Sequence, residues 1–195
     1  MKIKKPLYGV GVNDADYETT VWSDDYREVI FRCHFYTTWA NMITRCYSWK
    51  CLSKHPSYIG CEVHHDWRSF MNFKAWMQKQ DWQGNELDKD LLQHGNKIYS
   101  DENCCFVSRL TNVFVIDRKS DRGEWPLGVY LELSSGRYKS QCNNPFTKKR
   151  ENLGRYDCPN KAHLAWKKRK HELACQLAGL QTDERVANAL LNRYL

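Results

Sequence analysis

The 195 residues are 42% hydrophobic and 27% charged, the composition of globular domains rather than of a disordered or fibrous chain. No apolar run approaches the roughly 18 to 20 residues that span a bilayer, and the MKIKKPLYG start has no apolar stretch behind its lysines, so no membrane association and no secretory route are expected. The net charge of +7 is unevenly placed: residues 1–125 hold 17 Lys+Arg and 17 Asp+Glu, whereas residues 126–195 hold 13 against 6, which points to a basic module joined to a neutral one and to a polyanionic partner.

Nine cysteines, unevenly spaced and with Cys104 and Cys105 adjacent, do not form a disulfide framework, so free thiols in a reducing cytoplasm are expected. A zinc alternative exists in Cys46, Cys51, Cys61 and His64, whose spacing suits a metal but lacks a glycine knuckle. The 8 Trp, 11 Tyr and 7 Phe call for several small aromatic cores.

In chain order, residues 1–25 show no clear period and read as an N-terminal arm. From about Arg27 to Cys46 the residues Phe35, Trp39, Met42, Ile43 and Cys46 recur at helical spacing. Residues 47–62, with Pro56 and Gly60, read as a loop with a short extended piece at Tyr58 and Ile59. His64 and His65 read as a solvated pair, and Asp66 as the cap of a helix in which Trp67, Phe70, Phe73 and Met77 share a face.

The stretch from Leu87 to Phe114 carries the chemistry. If LDKDLL is a strand, Asp88 and Asp90 share one face and Lys89 takes the other. A Gly95-Asn96 turn, a tight loop ending at Asn103, the apolar run CCFV and a short helix bearing Asn112 follow. Two carboxylates and an amide converging after such a path supply hard oxygen ligands for Mg²⁺ or Mn²⁺.

From Trp39 to Phe114 the chain resembles a phage-encoded group related to HNH homing endonucleases. The resemblance rests on Met42, Arg45, Cys46 and Tyr47, on Trp67, Phe70 and Phe73, and on Gly95, Asn96, Tyr99, Ser100, Glu102, Asn103 and Cys104. It implies a ββα-metal module over 26–116, with one divalent metal on Asp88 or Asp90 plus Asn112, and Asn103 as orienting residue. The family's general-base histidine is missing: Lys89 or Leu91 stands in its place. Beside a metal and phosphates Lys89 stays protonated and suits a phosphate contact, which leaves His94 as the nearby imidazole.

Residues 117–126 read as a linker. Beyond it LGVYLEL, GRYKSQC and ENLGRY are three alternating strands, and a helix after Pro159-Asn160 carries Ala162, Ala165, Trp166, Leu173 and Leu177 on one face. The fold class expected is α+β: N-terminal helices and the HNH-like module, then a three-stranded antiparallel sheet packed on one helix over 127–178, then a C-terminal helix over 179–195 whose Val186, Leu190 and Tyr194 dock on a core or a second subunit.

The second module resembles the Apetala/ethylene-response-factor type DNA-binding domain, through Gly128-Val129, the run from Gly136 to Gln141, Leu153 to Tyr156, and Pro159 to Trp166. The resemblance implies a free sheet face in the major groove of double-stranded DNA. Between Arg137 and Lys170 there are 11 basic residues against Glu151 and Asp157. Arg137, Lys139 and Gln141 alternate onto one strand face and suit base edges, with Tyr138 interleaved. Lys148, Lys149 and Arg150 suit backbone phosphates, and Arg155 lies on the third strand. Lys167 to Lys170 read as a solvated helix face. The expected activity is sequence-preferring DNA binding with metal-dependent nicking or cleavage, in the cytoplasm of the host cell if the chain is phage-encoded. The alternative is a degenerate nuclease scaffold acting as a DNA-binding regulator or as an inhibitor of a host protein.

Overall fold

The computed structural model describes residues 5–116 and 124–195. The chain is mixed α+β, with six α-helices and four small sheets among the described residues. It divides into two compact units, Met1–Val107 and Ser108–Leu195.

In the first unit the segment expected as an arm packs as part of the fold. Val12 donates its N–H to the Arg68 carbonyl at 2.8 Å and accepts from Phe70 at 3.0 Å. Gly11 lies against Trp39, where a Cβ would come within 2.9 Å of the indole. Strands β1 (Thr20–Trp22) and β2 (Val29–Arg32) form an antiparallel pair. Because Val29–Arg32 is committed to that pair, helix α1 (His34–Tyr47) begins later than its apolar period suggests. The predicted stripe is its buried face: Trp39, Met42, Ile43 and Cys46.

Within the expected loop lies a short helix, α2 (Trp49–Lys54), and the extended piece is β3 (Glu62–Val63), parallel to β5 (Ile98–Tyr99), rather than Tyr58 and Ile59. A 3₁₀ turn over His65–Arg68 precedes helix α3 (Phe70–Met77), whose cap is Ser69 and not Asp66. Ser69 Oγ accepts from the Asn72 N–H at 3.1 Å, and Asp14 accepts from Ser69 Oγ at 2.6 Å and from the Met71 N–H at 2.9 Å. The helix dipole favours a carboxylate at that end. Trp39, Trp67, Phe70, Phe73 and Met77 join one core with Cys104 and Phe106. The Trp39 indole N–H donates to the Trp67 carbonyl at 2.7 Å, so the buried donor is satisfied. Strand β4 (Glu86–Asp88) pairs antiparallel with β6 (Cys105–Val107).

The second unit holds α4 (Arg109–Val115), the antiparallel sheet of β7 (Val129–Glu132), β8 (Arg137–Asn143) and β9 (Arg150–Tyr156), the long α5 (Pro159–Ala178) and α6 (Glu184–Asn192). Helix α5 covers one face of the sheet with Ala162, Trp166, Leu173 and Leu177 buried. Gly128, at φ +75°, lets the chain pass Trp166: a Cβ there would lie 2.0 Å from the indole. Arg169 of α5 forms a two-pronged ion pair with Glu151 of β9 at 2.7 and 3.1 Å. The α6 face docks within the unit through Val186 and Leu190, and Tyr194 meets Phe114 and Trp166 edge-on.

The expected boundary at 116 moves to 107, because α4 belongs with the second unit. Lys170 donates to the Phe114 carbonyl at 2.7 Å, Arg193 to the Val115 carbonyl at 2.9 Å and Gln181 to Thr111 Oγ1 at 3.4 Å. The first two, both cations, satisfy carbonyls that the last helical turn leaves open. Of the expected linker, 117–123 lie outside the described residues, and Trp125 packs edge-on against Tyr138 with centroids 4.9 Å apart.

Candidate nucleic-acid interface

Strand register separates the two faces of the second unit's sheet. Val129 pairs with Ser140, and Ser140 with Gly154, on the face that α5 covers. On the opposite face Tyr130, Lys139 and Arg155 fall in one row, as do Glu132 and Arg137, and beyond them Gln141 with Asn152 and Asn143 with Arg150. The register slips between Ser140 and Gln141, and the extra residue in β9 keeps Asn152 and Arg150 on that face while Glu151 still reaches α5. The expected alternation of Arg137, Lys139 and Gln141 therefore holds on the uncovered face. Tyr138 faces the other way, paired with Leu131 and Tyr156 and against Trp125.

Partners divide the basic residues. Glu132 accepts from Arg155 Nε and Nη2 at 2.7 and 2.8 Å, and this partner together with Ser135 holds the Glu132 carboxyl at a pKa of about 2. Arg155 is thus neutralised in place. Arg137 Nε reaches Asp157 at 3.1 Å, but both groups are well exposed and such a pair yields readily to a phosphate. Among the described residues Lys139, Lys148 and Lys149 have no ion-pair partner.

The loop between β8 and β9 is fixed by a buried amide. Asn144 Oδ1 accepts from the Phe146 and Thr147 N–H groups at 2.9 and 3.1 Å, and its Nδ2 donates to Glu151 at 2.7 Å. That clasp holds Lys148 in a left-handed conformation, φ +57°, unusual for a residue with a side chain. On α5, Arg169 and Lys170 are structural rather than solvated: Arg169 binds Glu151 and Glu172, and Lys170 binds the Phe114 carbonyl.

In the first unit the acidic stretch departs from the expected strand. Strand β4 ends at Asp88, because Asp88 Oδ1 accepts from the Asp90 and Leu91 N–H groups at 2.8 and 2.7 Å and turns the chain. Asp90 thus lies beyond the strand. Burial pushes the Asp88 carboxyl above its ordinary pKa despite those two bonds. Lys89 is buried and donates to Asp90 Oδ1 at 2.6 Å and to the Asn96 carbonyl at 2.9 Å, while Asn96 Nδ2 returns a bond to the Lys89 carbonyl. This ammonium is spent inside the loop and is not offered to a phosphate. His94 is exposed, Asn103 donates its backbone N–H to Ser100 Oγ at 3.3 Å, and Asn112 stands on α4 in the second unit.

The donors of the first unit suit a divalent ion poorly. One Asp88 oxygen already takes two amide hydrogens, and Asp90 already neutralises an ammonium, leaving few of the oxygens that Mg²⁺ requires. For zinc, the donor atoms of Cys46, Cys51, Cys61 and His64 do not converge on one point among the described residues. The cluster of metal-type donors among the described residues is a different one, exposed His65 and Asp66 with half-buried His64. There Asp66 lies 3.6 Å from His64 Nδ1 and 3.2 Å from His65 Nε2.

Sequence reasoning overlooked Tyr130, Asn143 and Asn152 on the uncovered sheet face, and Glu132 as the group that occupies Arg155. Alternation through all three strands is the signal that finds them. Neither a protein-family model nor a curated protein nor a solved structure matches this chain.

Proposed function

We propose that the chain binds double-stranded DNA through the uncovered face of the β7-β8-β9 sheet, with sequence preference, and that residues 26–116 derive from an HNH-type nuclease scaffold without the catalytic group. One observation carries the binding half: Arg137, Lys139, Gln141 and Arg150 share the sheet face opposite α5, with Lys148 and Lys149 in the adjoining loop. Arg and Gln side chains on such a face can read base edges, and the lysines grip phosphates. The chain's whole surplus of seven positive charges lies in residues 126–195, the part that carries the sheet.

The degenerate reading of the first unit is favoured over cleavage by Lys89, which stands beside Asp88 where the HNH-like pattern has its histidine and is buried against Asp90 and Asn96. A buried ammonium held in that way accepts no proton from water.

The test is a gel shift across salt beside a plasmid nicking assay. Retardation that survives EDTA, with log affinity falling at a slope of about −5 against log salt if six phosphates are met, supports binding. Failure to retard duplex at low salt, or unchanged binding by a Lys139→Ala/Arg150→Ala variant, overturns it. Nicking with Mg²⁺ or Mn²⁺ that Asp88→Ala abolishes overturns the degenerate half alone.

A further inference from the structure

A cleft of about 400 Å³ opens in the second unit beside the proposed DNA face, and shares residues with it. One wall is apolar: Leu110, Val113 and Ile116 are 39, 59 and 48% exposed, an arrangement that leaves apolar surface facing water in a recess. The aromatic groups Tyr130 and Trp166 also line it. The opposite rim is polar, with the amides of Gln141 and Asn143 and the cations of Lys148 and Arg150, while Lys170 lies deeper. No carboxylate occurs among the described lining residues.

We infer that this cleft takes a single unstacked nucleotide of a nucleic acid lying on the adjoining sheet face. The base lies against the α4 wall, its edge meets Gln141 and Asn143, and its phosphate meets Lys148 and Arg150. The inference rests on the DNA-binding reading of that face and adds a second mode of contact to it.

The chemistry of the lining selects this occupant. An aliphatic ligand would cover the wall but make no use of the Gln141 and Asn143 amides or of the cations on the rim. A small anion would satisfy the cations and leave the wall wet. A nucleotide has an apolar π face, a hydrogen-bonding edge and an anionic phosphate at fixed spacing, and so matches all three parts. The rim is also pre-set: Asn143 Oδ1 accepts from Arg150 Nε at 3.4 Å, and the Asn144 clasp holds Lys148 at φ +57°. A strained residue held in place by a buried network at the mouth of a recess is a common mark of a ligand site. Clefts of roughly 300 to 1,000 Å³ are the usual size for small-molecule groups.

The experiment uses the full chain and oligonucleotides carrying 2-aminopurine at successive positions, as duplex and as single strand. Fluorescence should rise several-fold at one position on binding, since the probe brightens when unstacked. Val113→Phe, which fills the cleft from an exposed position, should abolish the rise while duplex retardation stays within about threefold of wild type. Leu110→Phe is the second cleft-filling variant should the first fail to fold. A retarded duplex with no bright position and no single-strand signal overturns the cleft and leaves the sheet reading standing, as does a rise that both variants keep. A single-strand signal lost in Val113→Phe without duplex retardation upholds the cleft and overturns the sheet reading. Neither signal overturns both.

Discussion

Lys170 Nζ lies 3.3 Å from the centre of the Phe114 ring and donates to the Phe114 backbone carbonyl at 2.7 Å. The ammonium is fixed at the C-terminal end of α4, where the helix dipole and the aromatic face both favour a cation. Burial nevertheless outweighs them: desolvation brings Lys170 down to about 8, against an upward pull from Cys142, with Arg193 adding a smaller downward push. A lysine depressed in the folded state binds fewer protons there than when unfolded. Stability therefore rises with pH between about 8 and the unfolded value of about 10.4. Thiols and tyrosines titrate in the same range, so the difference from Lys170→Met isolates the effect. Denaturant melts should show wild type gaining about 2 kcal/mol on the variant between pH 7 and 9.5; a constant difference refutes the depressed lysine.

Gly128→Ala should be the most damaging single methyl in the second unit. The position has φ +75° and an added Cβ would stand 2.0 Å from Trp166 Cδ1 and 2.3 Å from Cγ. Neither the indole, wedged against Tyr194 and His163, nor the backbone can yield without unpacking α5 from the sheet. A loss of more than about 3 kcal/mol is expected from the clash and backbone strain together. Gly136→Ala, also at positive φ but with open space around it, is the control and should cost about 1 kcal/mol. Thermal melts of the two variants decide it.

Glu132→Gln should strengthen DNA binding. It removes the carboxylate that occupies Arg155 Nε and Nη2 and frees one guanidinium on the sheet face. The salt slope should steepen by about one charge and low-salt affinity rise several-fold. If affinity falls, the pair orients Arg155 for its contact and its neutralisation is part of the site.

Much of this was legible locally. The stripes of α1 and α3 follow from apolar spacing, and the uncovered face of β8 from alternation at Arg137, Lys139 and Gln141, because period and burial are properties of consecutive residues. What stayed hidden depends on partners distant in sequence. Asp14 caps a helix 55 residues later through Ser69, Arg155 is silenced by Glu132 at a separation of 23, and α4 is claimed by Lys170 at 56 and Arg193 at 78. Asp90 left the strand face for a local reason that alternation ignores: an Asp two residues earlier can bond the following amides and end the strand.

Asp88 offers the sharpest test of the first unit. Its carboxyl is raised above the ordinary carboxylate range, by burial first and then by Asp90, against the amides of Leu91 and Asp90 and the ammonium of Lys89. A carboxyl raised on folding contributes its stability at pH values below its unfolded pKa of 3.8, and that contribution is lost as pH rises through the folded value. At neutral pH the ionised Asp88 is a burden on the fold. Asp88→Asn keeps an oxygen for the two N–H groups and removes the charge, so it should be more stable than wild type at pH 7, with the advantage vanishing below pH 4. Asp88→Ala removes the acceptor as well and should cost about 1 kcal/mol. Both variants should retard DNA in EDTA as wild type does, because the proposed contacts lie on the β7-β8-β9 sheet. A destabilised Asp88→Asn at pH 7 would mean that the charge itself holds the turn together, and burial would no longer explain its titration.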